Sequence, residues 1–318
     1  MVIAITGAAG NLGSRLARHL VAEGEHELRL LVHRTPLPAD LAAAPRTAVC
    51  TIDLAQPETL APALAGVDVV VHFAGVLFAP RPERFLPTTN TAWFGHLLDA
   101  ALAAGVQRVV LISFPHVEGP TTPQHPATGR LDGHPISAHA TTRLAEERLL
   151  FARAACTSLT PVVLRVGMVY GKGILMIDAA RWLAERRLLG VWREPTWIHL
   201  ISTPDFLAAT TAAATRDGVS GIYHLGDEEP LTLQEFLDRA CDAWGTPRPW
   251  HLPWWTILTT ATLCELWATL FRTRSPLTRD FVRIGKVSYC GDTTRFRAEL
   301  SKDLRYPTLN DGMASLSR

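Results

Sequence analysis

Lysine is nearly absent from this chain. Of thirty-one basic residues only Lys172, Lys286 and Lys302 are lysines, and no Lys/Arg run occurs. The net charge of +1 gives the chain as a whole no field for steering nucleic acid or an anionic membrane, so neither is expected as a partner. Tyrosine is scarce too. Tyr170, Tyr223, Tyr289 and Tyr306 are the only four, and none has a lysine four residues on. The five cysteines (Cys50, Cys156, Cys241, Cys264, Cys290) are odd in number and form no C-x-x-C pair. That pattern suits reduced thiols in a cytoplasmic protein better than disulfides or a zinc site. Internal repeats and low-complexity tracts are missing. If the chain starts at Met1, a strand beginning at Val2 leaves no room for a secretory leader.

What is present is globular: 318 residues, 47% hydrophobic and 19% charged, enough for one large domain or a domain with a smaller lobe. The first thirteen residues are the most informative: an apolar strand runs into Gly7, Ala9, Gly10, Asn11, Leu12 and Gly13. The glycines are spaced Gly-x-x-Gly-x-x-Gly, and a helical pattern with Leu12, Leu16 and Leu20 follows, with Asn11 expected as its cap. Strand, tight turn and helix N-terminus form a cradle for a dinucleotide pyrophosphate.

Apolar runs recur at Leu28–His33, Ala48–Ile52, Asp68–Phe73, Val109–Phe114 and Pro161–Val166. Helical patterns near Thr91–Ala104 and Ala138–Ala155 alternate with them. Unbroken hydrophobicity in the strands requires a sheet covered on both faces. The expected fold is therefore α/β, a doubly wound parallel (Rossmann) sheet over residues 1–166. A smaller, mostly helical substrate lobe follows over 167–318, with segments near 198–226 able to return to the sheet. Strands are expected at Trp197–Ser202 and Gly221–Leu225, and Asp205 as the N-cap of the helix Phe206–Ala214. Two proline-rich loops, Phe78–Thr89 and Pro115–Ser137, leave carboxyl ends of strands and are candidate pocket walls. Leu252–Phe271 is long and apolar enough to call for a membrane check. Pro253, five threonines and the lack of a basic flank on its N-terminal side favour a buried or substrate-covering helix, with an interfacial anchor as the alternative.

The second strand ends Leu31-Val32-His33-Arg34. An acidic residue there would bond the ribose 2′-OH of NAD, but Arg34 offers a cation for a 2′-phosphate, so NADP(H) is expected over NAD(H). Trp192, Trp197, Trp254, Trp255 and Trp267 point to an apolar substrate surface. His116, His125, His134 and His139 crowd one region without ligand spacing on a helix, so no metal is expected.

Further signatures are Asp53-Leu54, Asp68 to His72-Phe73-Ala74-Gly75, Asn90, the strand to Ser113, Leu164-Arg165-Val166-Gly167-Met168-Val-Tyr170-Gly171 and Leu304-Arg-Tyr306-Pro307. Together they resemble the extended short-chain dehydrogenase/reductases. That group holds nucleotide-sugar epimerases/dehydratases and 3β-hydroxysteroid dehydrogenases, and the likeness runs from Val2 to about residue 310. The resemblance implies that Asp53 and Leu54 flank the adenine. It places Phe73, Ala74, Gly75 and Asn90 on the phosphate–nicotinamide side and Val166 against the nicotinamide. It implies a substrate pocket near Val76, Phe114, His116, Met168 and Trp197, and a homodimer through the helices near 91–104 and 138–155.

The family works with Ser/Thr and Tyr-x-x-x-Lys. Here His139 stands at the tyrosine position and Arg143 at the lysine position, while the serine position falls on Phe114, next to Ser113. A positioned acid/base gives roughly 10²–10⁴ in rate, so its loss silences ketone reduction unless replaced. His139 can exchange a proton, Arg143 can bind ribose hydroxyls as well as coenzyme, and Ser113 or His116 can stand in for the hydroxyl. The expectation is an NADP(H)-dependent oxidoreductase acting on an apolar alcohol or ketone. The alternatives are a silent NADP(H)-binding sensor of the NmrA-like kind and a nucleotide-sugar epimerase/dehydratase.

Overall fold

The computed structural model describes residues 1–76, 81–273, 275 and 277–317. Residues 77–80, which include Phe78 and Pro80 of the first proline loop, lie outside the described residues, as do 274, 276 and 318. The first half alternates β1 (Val2–Thr6), α1 (Asn11–Glu23), β2 (Glu27–Val32), α2 (Ala39–Ala42), β3 (Thr47–Thr51), α3 (Leu60–Leu64), β4 (Val69–His72), α4 (Trp93–Ala103), β5 (Arg108–Ser113), α5 (Ala138–Ala154) and β6 (Thr160–Val166). There follow β7 (Met168–Tyr170), α6 (Leu175–Glu185), β8 (Gly190–Trp192), β9 (Trp197–Ile198), β10 (Leu200–Ser202), α7 (Thr203–Thr215), β11 (Gly221–Leu225), β12 (Leu231–Thr232), α8 (Leu233–Trp244) and β13 (Trp250–Leu252). The chain ends with α9 (Trp254–Phe271), α10 (Arg279–Gly285), α11 (Thr294–Glu299), α12 (Leu309–Gly312) and α13 (Ala314–Ser317).

Among the described residues, seven strands form one sheet in the order β11-β6-β5-β4-β1-β2-β3. Every pairing in it is parallel. Successive strand residues point to opposite faces, and each face has its own core. Ile3, Ile5, Val69, Val71 and Val110 pack with Leu16 and Leu20 of α1 and Phe206 of α7. Ala4, Val70, Val109 and Leu111 pack with Leu60, Phe94, Leu97 and Leu150 of α3, α4 and α5. The strand order reverses between β1 and β4, and that switch point opens the crevice in which doubly wound sheets bind ligands.

Gly221–Leu225 returns to the sheet as its edge beside β6. The Trp197–Ser202 run does not form one strand. It breaks at His199 into β9, which pairs antiparallel with β12, and β10, which pairs with β7. His199 turns its ring against the Gly226 backbone, where an added Cβ would lie 2.4 Å from it.

Three local expectations are corrected. Asn11 does not cap α1: the N-cap is Gly10, and the Asn11 amide instead donates to the Gly173 carbonyl at 2.8 Å. Asp205 does not cap α7. Ser202 does, accepting from the Asp205 backbone at 3.2 Å. The Asp205 carboxylate is thereby left to accept from the Arg305 and Tyr306 amides at 2.6 and 3.1 Å, which docks the C-terminal segment. The Leu252–Phe271 run is neither buried nor one element. Trp250–Leu252 pairs with β8, and after Pro253 the helix α9 buries only a narrow line of Ala261, Glu265 and Ala268. Trp255, Leu263, Leu266, Trp267, Leu270 and Phe271 face solvent.

Phe94 is fully buried between α4 and the sheet. Phe94→Ala is expected to lower unfolding free energy by about 3–5 kcal/mol in urea titration, through the cavity it leaves.

Candidate active site

The crevice starts at the β1–α1 turn. Gly7 has φ +67°, the left-handed region that favours glycine. Gly13 is required for a different reason: an added Cβ would sit 2.3 Å from the Gly7 carbonyl oxygen. Helix and strand can pack this closely only without a side chain there. No side chain caps α1 at Gly10, so its first-turn amides remain available to an anion beside Ala9, Asn11 and Leu12. These residues fit a dinucleotide pyrophosphate.

The β4 exit closes the other side. Thr6 Oγ1 accepts from the Ala74 amide at 3.2 Å and lies 2.8 Å from His72 Nδ1. Phe73 meets Phe206 edge-on, with ring centres 6.3 Å apart. A π-helical turn over Pro87–Ala92 leads into α4 and turns Asn90 inward, where its Oδ1 accepts from the Val76 amide at 3.2 Å. At the end of β2, His33 and Arg34 are exposed, and His33 Nε2 is 3.7 Å from Asp53 Oδ2. Asp53 also accepts from the Ala55 amide, and the Leu54 carbonyl pairs with His96 at 2.8 Å. Val166 is buried at the end of β6.

Helix α5, capped by Ser137, carries His139 and Arg143 one turn apart. Arg143 lies over the β4 exit: a Cβ on Gly75 would be 2.7 Å from its Nη2. Its Nη1 donates to Glu146 at 2.5 Å. Burial pushes the Glu146 carboxyl up, and despite the pull of Arg143 it rests at about 7. His139 is 2% exposed, and its Nδ1 is 2.6 Å from Asp280 Oδ2 on α10. Sequence reading missed Asp280. Its local context, just after the cap Thr278, reads as an ordinary first-turn acid of a short helix.

Ser113 is drawn elsewhere. It faces Arg165 in the strand register, and its hydroxyl donates to Glu147 at 2.6 Å in a buried ionic group. Arg165, wholly buried, donates to both oxygens of Glu147, to Glu118 and to the Arg130 carbonyl. Burial alone would raise the Glu118 carboxyl, but His224, Arg165 and the Gly129 and Thr128 amides outweigh it and hold it at about 2.

Beyond β5 an aromatic stack forms. His116 lies between Phe114 and Tyr289, with ring centres 5.5 and 4.3 Å away. Burial pushes His116 down to about 4 and the Tyr289 hydroxyl up, so both are uncharged at neutral pH. Tyr289, also missed by sequence reading, donates its amide to the Trp197 carbonyl at 2.9 Å. Met168 opens β7 nearby. Of the five singled-out tryptophans, Trp197 meets this group through its backbone carbonyl. Trp192 and Trp254 pack edge-to-face at 5.4 Å, and Trp255 and Trp267 lie on the outside of α9.

Residues 3–196 match the NAD dependent epimerase/dehydratase family. The chain belongs to this family. It is accordingly an NAD(P)-dependent enzyme, an oxidoreductase or an epimerase/dehydratase. It is 30% identical to the 2-alkyl-3-oxoalkanoate reductase of Stenotrophomonas maltophilia, over 88% of this chain and 87% of that protein. It is 31% identical to the ceramide reductase of Caulobacter vibrioides, over 86% of this chain and 80% of that protein. The fold matches UDP-glucose 4-epimerase from Thermotoga maritima with TM-score 0.78 at 17% identity, covering 99% of this chain and 97% of that one.

Removing Arg165 strands two buried carboxylates. Arg165→Met is expected to cost about 3–5 kcal/mol at pH 7 by urea unfolding. Glu118 titrates at about 2 in the fold against 4.5 ordinarily, so the paired form stabilises fully above pH 4.5 and fades as pH falls through 2. The deficit of the variant narrows over that window.

Proposed function

We propose that this enzyme is an NADP(H)-dependent oxidoreductase that interconverts an apolar alcohol and its ketone. The buried His139–Asp280 pair, which joins the coenzyme-side helix to the C-terminal half, is the observation that carries this reading. Gly7, Ala9, Gly10, Asn11, Leu12 and Gly13 hold the pyrophosphate, Arg34 the 2′-phosphate, and Asp53 and Leu54 the adenine side. Phe73, Ala74, Gly75, Asn90 and Val166 line the remainder, and Arg143 takes the ribose hydroxyls that family members give to lysine. A nicotinamide coenzyme bound there supplies or accepts a hydride.

The chain's own part is the proton. Asp280 accepts from Nδ1–H of His139 and so fixes the tautomer, and Nε2 is the atom that exchanges a proton with substrate in this scheme. In oxidation Nε2 takes the proton of the substrate hydroxyl while the carbinol carbon gives up its hydride. In reduction the imidazolium, balanced by Asp280, returns a proton to the carbonyl oxygen as the hydride arrives. The uncharged wall of Phe114, His116, Met168, Trp197 and Tyr289, with Val76, supports an apolar substrate. A nucleotide-sugar diphosphate fits it less well, because that wall brings no cation. Two relatives named as reductases of a 2-alkyl-3-oxoalkanoate and of ceramide support an alkyl ketone. Ser113, committed to Glu147, has no substrate contact in this scheme.

Following NADPH absorbance against a panel of alkyl ketones tests the scheme. His139→Phe is expected to lower kcat by about 10²–10⁴. Asp280→Asn should lower kcat with KM little changed. Turnover indifferent to His139→Phe rules out its role. Tight coenzyme binding without turnover on any ketone favours the sensor reading.

Coenzyme choice is separable. Arg34→Ala is expected to weaken NADPH binding by about 10- to 100-fold, as for a lost charge-assisted contact, and to leave NADH nearly unchanged in calorimetry. Equal losses for both coenzymes would remove Arg34 from the 2′-phosphate.

A further inference from the structure

Helix α9 presents an apolar face with no partner among the described residues. Trp255, Leu263, Leu266, Trp267 and Leu270 share one side of it and are 61–76% exposed. Phe271 extends the patch, its ring centre 4.1 Å from that of Trp267. A run of large exposed side chains on one helix is uncommon on a monomeric surface and marks an interaction site.

The threonines that interrupt this helix do not make it polar. Thr259, Thr260, Thr262 and Thr269 each donate their hydroxyl to the carbonyl four residues back, at 2.8–2.9 Å. Their donors are satisfied within the helix, as they must be in a medium without water. Charge is also sorted. The segment from 254 to 286 holds five basic and two acidic residues. Both acids are engaged inward, Glu265 by Arg279 at 2.7 Å and Asp280 by His139. Arg272, directly after Phe271, and Arg283 on the neighbouring α10 are exposed. Tryptophan and leucine beside arginine is the composition of a helix lying in a headgroup layer. No helix among the described residues is long and apolar enough to cross a membrane.

We infer that α9 lies flat on a bilayer surface carrying anionic headgroups, with Trp255, Leu263, Leu266, Trp267 and Leu270 in the acyl boundary and Arg272 and Arg283 at the phosphates. Charge complementarity selects the lipid over a second copy of this chain, whose matching face would bring the same cations without counter-charge. The helix α10 that packs on α9 is the one that carries Asp280 to His139. The bilayer face is thus one helix away from the proposed proton-transfer pair, although the inference does not depend on the reaction.

Flotation of the whole protein with vesicles tests this without substrate. Binding to phosphatidylcholine/phosphatidylglycerol vesicles is expected, weakened by salt and accompanied by a blue shift of tryptophan emission. The variant Leu266→Ser/Trp267→Ser/Leu270→Ser should bind at least about tenfold less, with circular dichroism and coenzyme affinity unchanged. No flotation, or equal flotation of the variant, overturns the inference. Equal binding to phosphatidylcholine alone overturns the anionic assignment. A vesicle-free dimer in sedimentation velocity that the variant dissociates assigns the face to a second copy instead. Failure of ketone turnover would leave the vesicle result standing.

Discussion

One buried guanidinium holds the candidate site in place. Arg165 ends β6 inside the protein, where an unpaired cation would be far too costly to keep. It is answered by Glu147 from α5, Glu118 from the turn after β5 and a carbonyl of the second proline loop. Those contacts tie helix, strand and loop to one point. Glu118 in turn gathers the Thr128, Gly129 and Arg130 amides, which gives a loop rich in proline and glycine one conformation. Helix α5 cannot slide or rotate without separating these charges. His139 and Arg143, on the same helix, inherit that rigidity.

Rigidity matters for the proposed proton exchange, because His139 and the Asp280 that meets it come from two distant pieces of chain. A tyrosine–lysine pair would sit on one helix. Histidine has two ring nitrogens, and its chemistry depends on which of them is committed elsewhere. Asp280, 141 residues further on, makes that commitment from the C-terminal half. His139 is therefore linked to the position of α10, and through Glu265 and Arg279 to α9.

Much of the sheet was legible because its strands are buried on both faces, and burial writes unbroken apolar runs into β1, β4, β5 and β6. The glycines of the first turn were legible for an equally local reason. A left-handed backbone at Gly7 and a backbone contact at Gly13 tolerate no side chain, so spacing alone marks them. Helix ends were read less well. Asn11 and Asp205 are good capping residues by type, but Gly10 and Ser202 sit at the position where the chain turns, and the amide and carboxylate were drawn to Gly173 and the Arg305–Tyr306 amides. Ser113 looked like a spare hydroxyl until its strand partner Arg165 and the facing Glu147 were known.

The amino-acid order by itself determined the doubly wound sheet, the dinucleotide cradle and the identity of the groups at 139 and 143, because each depends on neighbours within a few residues or on simple periodicity. Tertiary structure alone decided that His139 meets Asp280, that Tyr289 closes the aromatic wall, that Arg165 anchors α5, and that the apolar run at 254–271 faces outward. Those outcomes rest on contacts between separate elements, from 18 residues apart for Arg165 and Glu147 to 141 for His139 and Asp280, or on which side of a helix finds a partner, and no local pattern encodes either.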